Sequence, residues 1–172
     1  MPRAQAAASE HTRPKRPRTE AGYLEALCSG VFSAGMSRKV VEAKWDGIKD
    51  AFLQFDPERV ASMSAADVRR LMNDPRVVRN RPKIEATIGN ARMILDLGDE
   101  FGSMRRYLAS VGGFEDQVRD LKRRFKFVGD MGAYHFLWMV GEQVPEWGTW
   151  HGLSSSRAQR TARPRTAKRR GN

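Results

Sequence analysis

Residues 114–141 constrain the fold most, because two short apolar helix patterns flank a break that contains glycine. Before the break, apolar residues recur every three or four positions, which is the spacing of one helix face. After it, a second helical pattern ends at Gly141. Gly129 and Gly132 predict a tight hairpin between the two, since glycine permits positive φ and close approach of the backbone to another molecule. This stretch is therefore predicted to be a helix, a glycine hairpin and a helix.

The start of the second hairpin helix is a predicted contact with DNA. Free N–H groups at a helix N-terminus point outward, where an anion such as a DNA phosphate binds. We therefore predict that Lys126, Gly129 and Gly132 contact the DNA backbone. The alternative is an ordinary helical hairpin with a solvated basic face. Four more cations approach the break from the preceding helix, namely Arg119, Lys122, Arg123 and Arg124.

The remainder of the folded region also shows helical periodicity, and no alternating strand pattern of useful length interrupts it. The predicted fold class is all-α, with seven or eight helices. Asp56 and Ser64 are predicted N-caps, the latter in a capping box with Asp67. Ahead of the hairpin, the predicted helices span about 23–34, 37–55, 57–60, 64–72, 82–98 and 100–110.

Positive charge is concentrated at the two ends of the chain. The formal net charge is +11, of which residues 1–20 carry +3 and residues 151–172 carry +7. Both ends are rich in Pro, Ala, Ser, Thr and Arg, a composition that cannot bury enough apolar surface to order the chain. We expect disordered basic tails at 1–20 and 151–172 around one helical domain at 21–150. Such tails raise nonspecific, salt-dependent affinity for polyanions.

Several classes of protein are excluded by what the sequence lacks. The single cysteine, Cys28, cannot form an internal disulfide and is predicted to be a small buried side chain. His11, His135 and His151 lack metal-ligand spacing, so no metal or cofactor is expected. No apolar run is long enough to span a bilayer, and no secretory signal is recognisable. The expectation is a cytoplasmic, nucleoid-associated protein that acts as a monomer.

Two blocks of the sequence, 32–95 and 121–142, resemble the DNA-3-methyladenine glycosylase I family within the helix-hairpin-helix DNA glycosylase superfamily. The resemblance implies an all-α glycosylase fold and a double-stranded DNA substrate with alkylated bases. It also implies base excision repair, in which the N-glycosidic bond of 3-methyladenine is hydrolysed after base flipping. The motifs that carry the resemblance are AG-x-S at 34–37, FDP at 55–57, VRNRPKI at 78–84, NA at 90–91 and RFKFVG at 124–129.

The chain departs from the family pattern at its pocket and at its metal site. Anchored on the AG-x-S motif, the family's pocket glutamate falls on Gly30. The tryptophan that stacks on the flipped base falls on Arg38. The N-terminal Cys and His and the C-terminal His and Cys of the family are also missing. The resemblance therefore implies the scaffold without the structural zinc site.

A glycosylase pocket needs an aromatic surface for the base and polar groups that read its edge. The predicted base pocket consists of Phe32, Arg38, Trp45, Tyr134 and Trp138. Glu42 is the catalytic candidate. Two simpler interpretations stay open. Arg38 and Glu42 are four residues apart and can form a surface ion pair, and the aromatic residues can belong to the core.

Three cations near a predicted helix start are further candidates for DNA backbone contact, Arg79, Arg81 and Lys83, with a solvated loop as the alternative. The sequence thus favours an N-alkylpurine glycosylase. Gly30 and Arg38 leave two other classes open, a noncatalytic DNA-binding relative and a glycosylase for a different lesion.

Overall fold

The computed structural model describes residues 14–150, in which eight α-helices, one short 3-10 turn, a further helical segment at 147–150 and no strand occur. The predicted all-α class is confirmed. Most of the two predicted tails, residues 1–13 and 151–172, lies outside the described residues. The helices are α1 (Glu20–Ser33), α2 (Arg38–Ala51), α3 (Pro57–Ala61), α4 (Ala65–Asn73), α5 (Arg81–Phe101), α6 (Met104–Ser110), α7 (Phe114–Arg124) and α8 (Asp130–Met139).

Several helices begin at residues whose side chains cap them. Asp56 caps α3, and Ser64 forms a capping box with Asp67 at α4, so both predicted caps are confirmed. Thr19 accepts a hydrogen bond from the Gly22 amide at 3.3 Å and starts α1 three residues before the predicted position.

The N-terminal end of the described region is tied to the C-terminal end. Arg16 forms an ion pair with Glu142 at 3.0 Å. Residues 14–19 therefore pack beside the end of α8, and α1 already begins at Glu20. This differs from the predicted disorder through residue 20, because composition alone does not register a cap or a long-range ion pair.

The predicted helix 37–55 is shorter in the structure, where α2 ends at Ala51. Leu53, Gln54 and Phe55 follow with φ between 55° and 58°, in the left-handed region, so the helix cannot continue through them. This turn brings the ring of Phe55 parallel to that of Phe52, with centroids 5.8 Å apart, and both rings are fully buried. Burial of the two rings offsets the cost of the turn.

The predicted end of the long helix at Gly98 is wrong, because α5 continues to Phe101. Gly98 adopts helical backbone angles, and the residue that ends α5 is Gly102, with φ 85°. A glycine ends a helix when it takes the left-handed conformation at the cap, and its presence in the sequence is not sufficient.

α5 lies at the centre of the domain and packs against α1, α3, α4 and α6. α1 in turn packs against α5 on one side and α8 on the other, so it connects the core to the hairpin. Cys28 of α1 is fully buried, as predicted, and burial raises the pKa of its thiol to about 12. None of the described helices is long and apolar enough to cross a membrane.

Candidate functional site

A cavity of about 1040 Å³ opens where α1, α2 and α8 meet, beside the loop between α7 and α8. Aromatic and apolar side chains form most of its wall, and the segment after α8 closes one side. The lining residues are Ser29, Gly30, Ser33, Ala34, Arg38, Val41, Glu42, Trp45, Asp46, Phe127, Gly129, Met131, Gly132, Tyr134, His135, Trp138 and Trp147.

Gly30 of α1 lies opposite Gly132 of α8 at the cavity. A Cβ atom on Gly30 would lie 3.9 Å from the Cα and carbonyl oxygen of Gly132, which is an ordinary van der Waals distance. A Cβ atom at position 30 therefore fits without displacing the backbone of α8.

Four of the five residues predicted for the base pocket, Arg38, Trp45, Tyr134 and Trp138, line this cavity. Phe32 does not. It is fully buried in the core, with its ring centroid 5.7 Å from that of Phe52. The prediction that Phe32 forms part of the base pocket is corrected, because its position on α1 turns its ring into the core.

The aromatic wall is held by contacts on the side away from the cavity. Trp45 donates its indole N–H to Glu25 Oε1 at 3.2 Å and stacks on Phe55 with centroids 5.6 Å apart. Tyr134 is only 9% exposed and stacks on Trp150 at 4.8 Å. Both residues thus combine the predicted core packing with a surface on the cavity.

Arg38 and Glu42 form the ion pair that was the simpler interpretation of their spacing. Arg38 Nε lies 2.8 Å from Glu42 Oε1, and the two side chains are 74% and 64% exposed. Exposed pairs of this kind contribute about 0–1 kcal/mol. The catalytic role of Glu42 stays a prediction, and Asp46 is the other carboxylate on the cavity wall.

His135 contributes a partly buried imidazole to the same cavity. Burial, and then the positive charge of Arg38, lower its pKa below the ordinary value of 6.5. The ring is therefore neutral at pH 7. A neutral imidazole adds hydrogen-bonding capacity to the cavity without adding positive charge.

The hairpin between α7 and α8 differs from the prediction in which residue has positive φ. That residue is Phe127, with φ 58°, whereas Gly129 has φ −93° and ψ −171° and occupies the N-cap of α8. No side chain caps α8, so its first N–H groups have no partner within the helix. The N-terminus of α8 thus presents backbone donors beside the cavity.

Asn90 of α5 fixes this loop in place. Its side-chain oxygen accepts a hydrogen bond from the Lys126 amide at 2.8 Å, and its side-chain nitrogen donates to the Lys126 carbonyl at 3.0 Å. Asn90 is 1% exposed. Asn90 of the NA motif therefore anchors the main chain of the hairpin loop to α5.

Some of the basic residues near the hairpin and at the start of α5 are unpaired, and others form ion pairs. Lys126 and Arg79 are exposed and form no ion pair within the described part of the chain. Arg81 is exposed and lies 3.3 Å from Glu85. The cations of α7 are neutralised by nearby carboxylates in the pairs Arg119–Asp116, Lys122–Asp130, Arg123–Asp120 and Arg124–Asp120.

The predicted DNA contact through Lys83 is corrected by the structure. Lys83 is 4% exposed, and its ammonium donates to the carbonyl oxygens of Phe32, at 3.0 Å, and of Ala34. Burial lowers its pKa. Its charge stabilises the C-terminal end of α1, where helix carbonyls lack partners, instead of pointing outward toward phosphate.

Sequence reasoning missed several cavity residues, among them Asp46 and the exposed Phe127, Met131 and Trp147. Phe127 belongs to the RFKFVG motif, which therefore carries an aromatic signal besides its charge and its glycine. Trp147 lies beyond the last periodic helix, where apolar spacing gives no signal. Among residues 14–150, no group of three or more His, Cys, Asp or Glu side chains is arranged to hold a metal ion.

Comparison with known proteins agrees with this geometry. The DNA-3-methyladenine glycosylase 1 of Escherichia coli (strain K12) is 32% identical over 147 residues, covering 73% of this chain and 79% of that protein. The DNA-3-methyladenine glycosylase of Haemophilus influenzae is 28% identical over 139 residues, covering 69% and 75%.

Solved structures give the same result. The 3-methyladenine DNA glycosylase I of Staphylococcus aureus superposes with a TM-score of 0.68 at 28% identity, covering 76% of this chain and 81% of that one. A variant 3-methyladenine DNA glycosylase I in complex with 3-methyladenine gives a TM-score of 0.67 at 28% identity, covering 76% and 82%. The family model for methyladenine glycosylase matches residues 12–123. The chain therefore belongs to the methyladenine glycosylase family.

Proposed function

We propose that this chain is a DNA N-glycosylase of base excision repair, which hydrolyses the N-glycosidic bond of alkylated purines and releases 3-methyladenine. The observation that carries the proposal is the aromatic cavity beside the uncapped N-terminus of α8. A glycosylase takes its target base out of the DNA stack and holds it in a pocket. A cavity of about 1040 Å³ is ample for one flipped base.

The charges of the cavity favour a positively charged base. Methylation of adenine at N3 gives a cationic purine. Glu42 and Asp46 supply two carboxylates to the described wall, against one guanidinium from Arg38, and the lowered pKa of His135 keeps its imidazole neutral. The balance is therefore suited to a cation and unfavourable to an anion.

Release of such a base needs little acid catalysis. The departing 3-methyladenine is neutral, so its glycosidic bond is already weak, and the enzyme mainly orients the base and removes it from water. Gly30, on the wall, supplies no carboxylate. We expect no release of uracil or 8-oxoguanine, which are poorer leaving groups and need more electrostatic assistance.

The hairpin holds the DNA backbone in this proposal. Donors at the N-terminus of α8, with Gly129 exposed at the cap, bind one phosphate. Lys126 and Arg79 are exposed cations without an ion pair in the described region and supply positive charge. Arg81 also contacts the DNA backbone in this proposal, because its exposed ion pair with Glu85 is weak and is easily given up.

A second candidate function is a noncatalytic DNA-binding relative. The observation that favours it is the absence of a carboxylate at Gly30, together with the pairing of Glu42 to Arg38. Such a protein would use the same hairpin and retain damaged DNA without releasing a base.

The test is incubation of the protein with methylated duplex DNA, followed by chromatography of the released bases. We expect 3-methyladenine in the supernatant and none from the unmethylated duplex. Duplexes containing uracil or 8-oxoguanine are the matched substrate controls. Tight binding of methylated DNA with no released base would contradict the glycosylase proposal and establish the noncatalytic alternative.

A further inference from the structure

Arg38 and Glu42 place hydrogen-bond donors and acceptors side by side on the cavity wall. Both side chains line the cavity from α2, one helical turn apart, and Arg38 Nε lies 2.8 Å from Glu42 Oε1. A guanidinium carries five N–H donors and no acceptor, whereas an ionised carboxylate only accepts. The pair therefore offers a flipped base a group of donors next to a group of acceptors.

The two side chains can turn toward a ligand at small cost. They are 74% and 64% exposed, and an exposed ion pair contributes only about 0–1 kcal/mol. Arg38 also acts on His135 of α8, because its positive charge is, after burial, a cause of the lowered pKa of that imidazole. The guanidinium of α2 is therefore close enough to the opposite helix to reach a base bound between them.

Guanine and adenine differ in the edge that such a pair meets. Enzymes that flip a base read it through hydrogen bonds to its Watson–Crick edge. Guanine presents one acceptor there, O6, followed by two donors, N1–H and N2–H, whereas adenine presents one donor, N6–H, and one acceptor, N1. If Arg38 donates to O6 and both oxygens of Glu42 accept from N1–H and N2–H, guanine gains three hydrogen bonds against two for adenine.

We infer that the Arg38–Glu42 pair reads the edge of N7-alkylated guanine, so that 7-methylguanine is a second substrate of this cavity. The inference rests on the proposed function. Methylation at N7 makes guanine cationic and leaves O6, N1 and N2 unchanged. Glu42 balances the charge of Arg38, and Asp46, one turn farther along α2, gives the described wall an excess of negative charge that suits such a base.

The bond that breaks is the one that breaks when 3-methyladenine is released. Water adds its oxygen to C1′ of the sugar, the electron pair of the C1′–N9 bond moves to the base, and one proton passes to solvent. The departing 7-methylguanine is neutral and is therefore a good leaving group. Guanine and 8-oxoguanine share its edge but carry no positive charge, so their bonds are not weakened and we expect neither base to be released.

One methylated duplex tests the inference, because methylation produces both lesions in the same DNA. The rates of 7-methylguanine and 3-methyladenine release are measured together in single turnovers, and a protein-free duplex corrects for spontaneous loss. The variants are Arg38→Ala and Glu42→Gln. Their controls are Arg119→Ala and Glu85→Gln, since Arg119 is 75% exposed, Glu85 is 54% exposed, both form ion pairs within a helix, and neither lines this cavity.

We expect wild type and both controls to release the two bases. Arg38→Ala and Glu42→Gln should lower the rate of 7-methylguanine release about tenfold, which is the scale of one lost bidentate contact to a base. Release of 3-methyladenine should fall by no more than about twofold. A loss of folding or of DNA binding would lower both rates together, so the ratio of the two rates isolates the reading of the edge.

Two results would overturn the inference while the proposed function stands. One is a wild-type protein that releases 3-methyladenine and no 7-methylguanine. The other is a wild-type ratio of the two rates in Arg38→Ala and Glu42→Gln, whether or not both rates fall. A wild-type protein that releases neither base would overturn the proposed function, and the inference with it.

Discussion

The α7–α8 hairpin and the wall formed by α1 and α2 lie side by side, yet they are built from different parts of the chain. The hairpin presents main-chain groups, beside the exposed side chains of Phe127 and Met131. Asn90 binds the backbone of Lys126, and the α8 N-terminus offers backbone N–H donors. The wall presents side chains, and at Gly30 and Arg38 they differ from those that the family resemblance implies.

This difference shows why one region follows the family pattern and the other does not. A surface made of main-chain groups depends on the path of the chain, which a few internal contacts determine. A surface made of side chains changes its ligand whenever one residue is replaced. DNA holding and base selection can therefore be altered separately, and the following substitutions test that separation.

The largest effect is expected from Asn90→Ala, which removes the support of the hairpin. It leaves the Lys126 N–H and carbonyl without their partner, and losing such bonds at a buried site costs about 1–3 kcal/mol. Chemical denaturation measures the loss. Asn73→Ala is the control, because Asn73 makes one exposed bond, to the Arg69 carbonyl. Equal losses in the two variants would mean that Asn90 does not hold the hairpin.

Gly129→Asp separates stability from DNA binding. Gly129 has the extended backbone of an N-cap and open space around its Cα, so aspartate fits there and stabilises α8 by a few tenths of a kcal/mol. Its carboxylate occupies the place of the phosphate, and we expect affinity for duplex DNA to fall about tenfold. Gly129→Asn makes the same cap without charge. If both variants bind DNA equally, the α8 N-terminus is not a phosphate site.

Gly30→Glu changes the α1 side of the cavity, opposite Gly132, and leaves the sequence of the hairpin unchanged. The Cβ position at Gly30 is free of clashes, so the new carboxylate enters the wall. It stabilises the positive charge that passes from the base to the sugar as the bond breaks, and we expect 3-methyladenine release to rise about fivefold, within the 1 kcal/mol scale of one such interaction. Gly30→Gln supplies the same shape without charge. Release that is unchanged in Gly30→Glu would show that selection does not depend on charge at this position.

A smaller effect is expected from His135 as the pH is lowered. Its folded-state pKa lies below 6.5, so the unfolded chain takes up the proton more readily, and stability falls as the pH drops through this region. His135→Gln should therefore show a flatter loss of stability between pH 7 and pH 5. Thermal melts across this range provide the measurement. Arg38, Glu42 and Asp46 share the cavity and are unchanged in both proteins. If the stabilities of wild type and His135→Gln fall in parallel between pH 7 and pH 5, the loss of stability does not come from His135.

The smallest effect is expected from Glu42→Gln. The carboxylate is 64% exposed and paired with Arg38, so its loss should slow 3-methyladenine release by no more than about twofold. Single-turnover release from methylated duplex measures the change. Slowing by tenfold or more, with DNA affinity intact, would establish Glu42 as the catalytic carboxylate.

The predictions from sequence succeeded where local rules decide the structure. Asp56 and Ser64 start their helices as predicted, and Cys28 is buried. They failed where long-range packing decides. The left-handed turn before Phe55 exists because two rings stack in the core. Lys83 turns inward because the end of α1 lies beside it.

In the candidate site, too, local patterns predicted some residues and long-range packing decided the others. Arg38 and Glu42 could be paired from their spacing, and Trp45 and Trp138 were placed near the cavity through the family motifs. Trp147 could not be placed, because no periodicity extends beyond α8. Its position depends on Tyr134 and other distant rings, which no local pattern reveals.

The inward position of Lys83 also makes this residue a reporter of how the protein opens. Its amine is bound to two carbonyl oxygens and is 4% exposed, so an acylating reagent reaches it only when α1 separates from α5. Lys126, in the loop beside α5, is exposed and is acylated in the closed protein. The ratio of acylation at the two lysines therefore measures, in the unmodified chain, how often the helix junction next to the cavity comes apart.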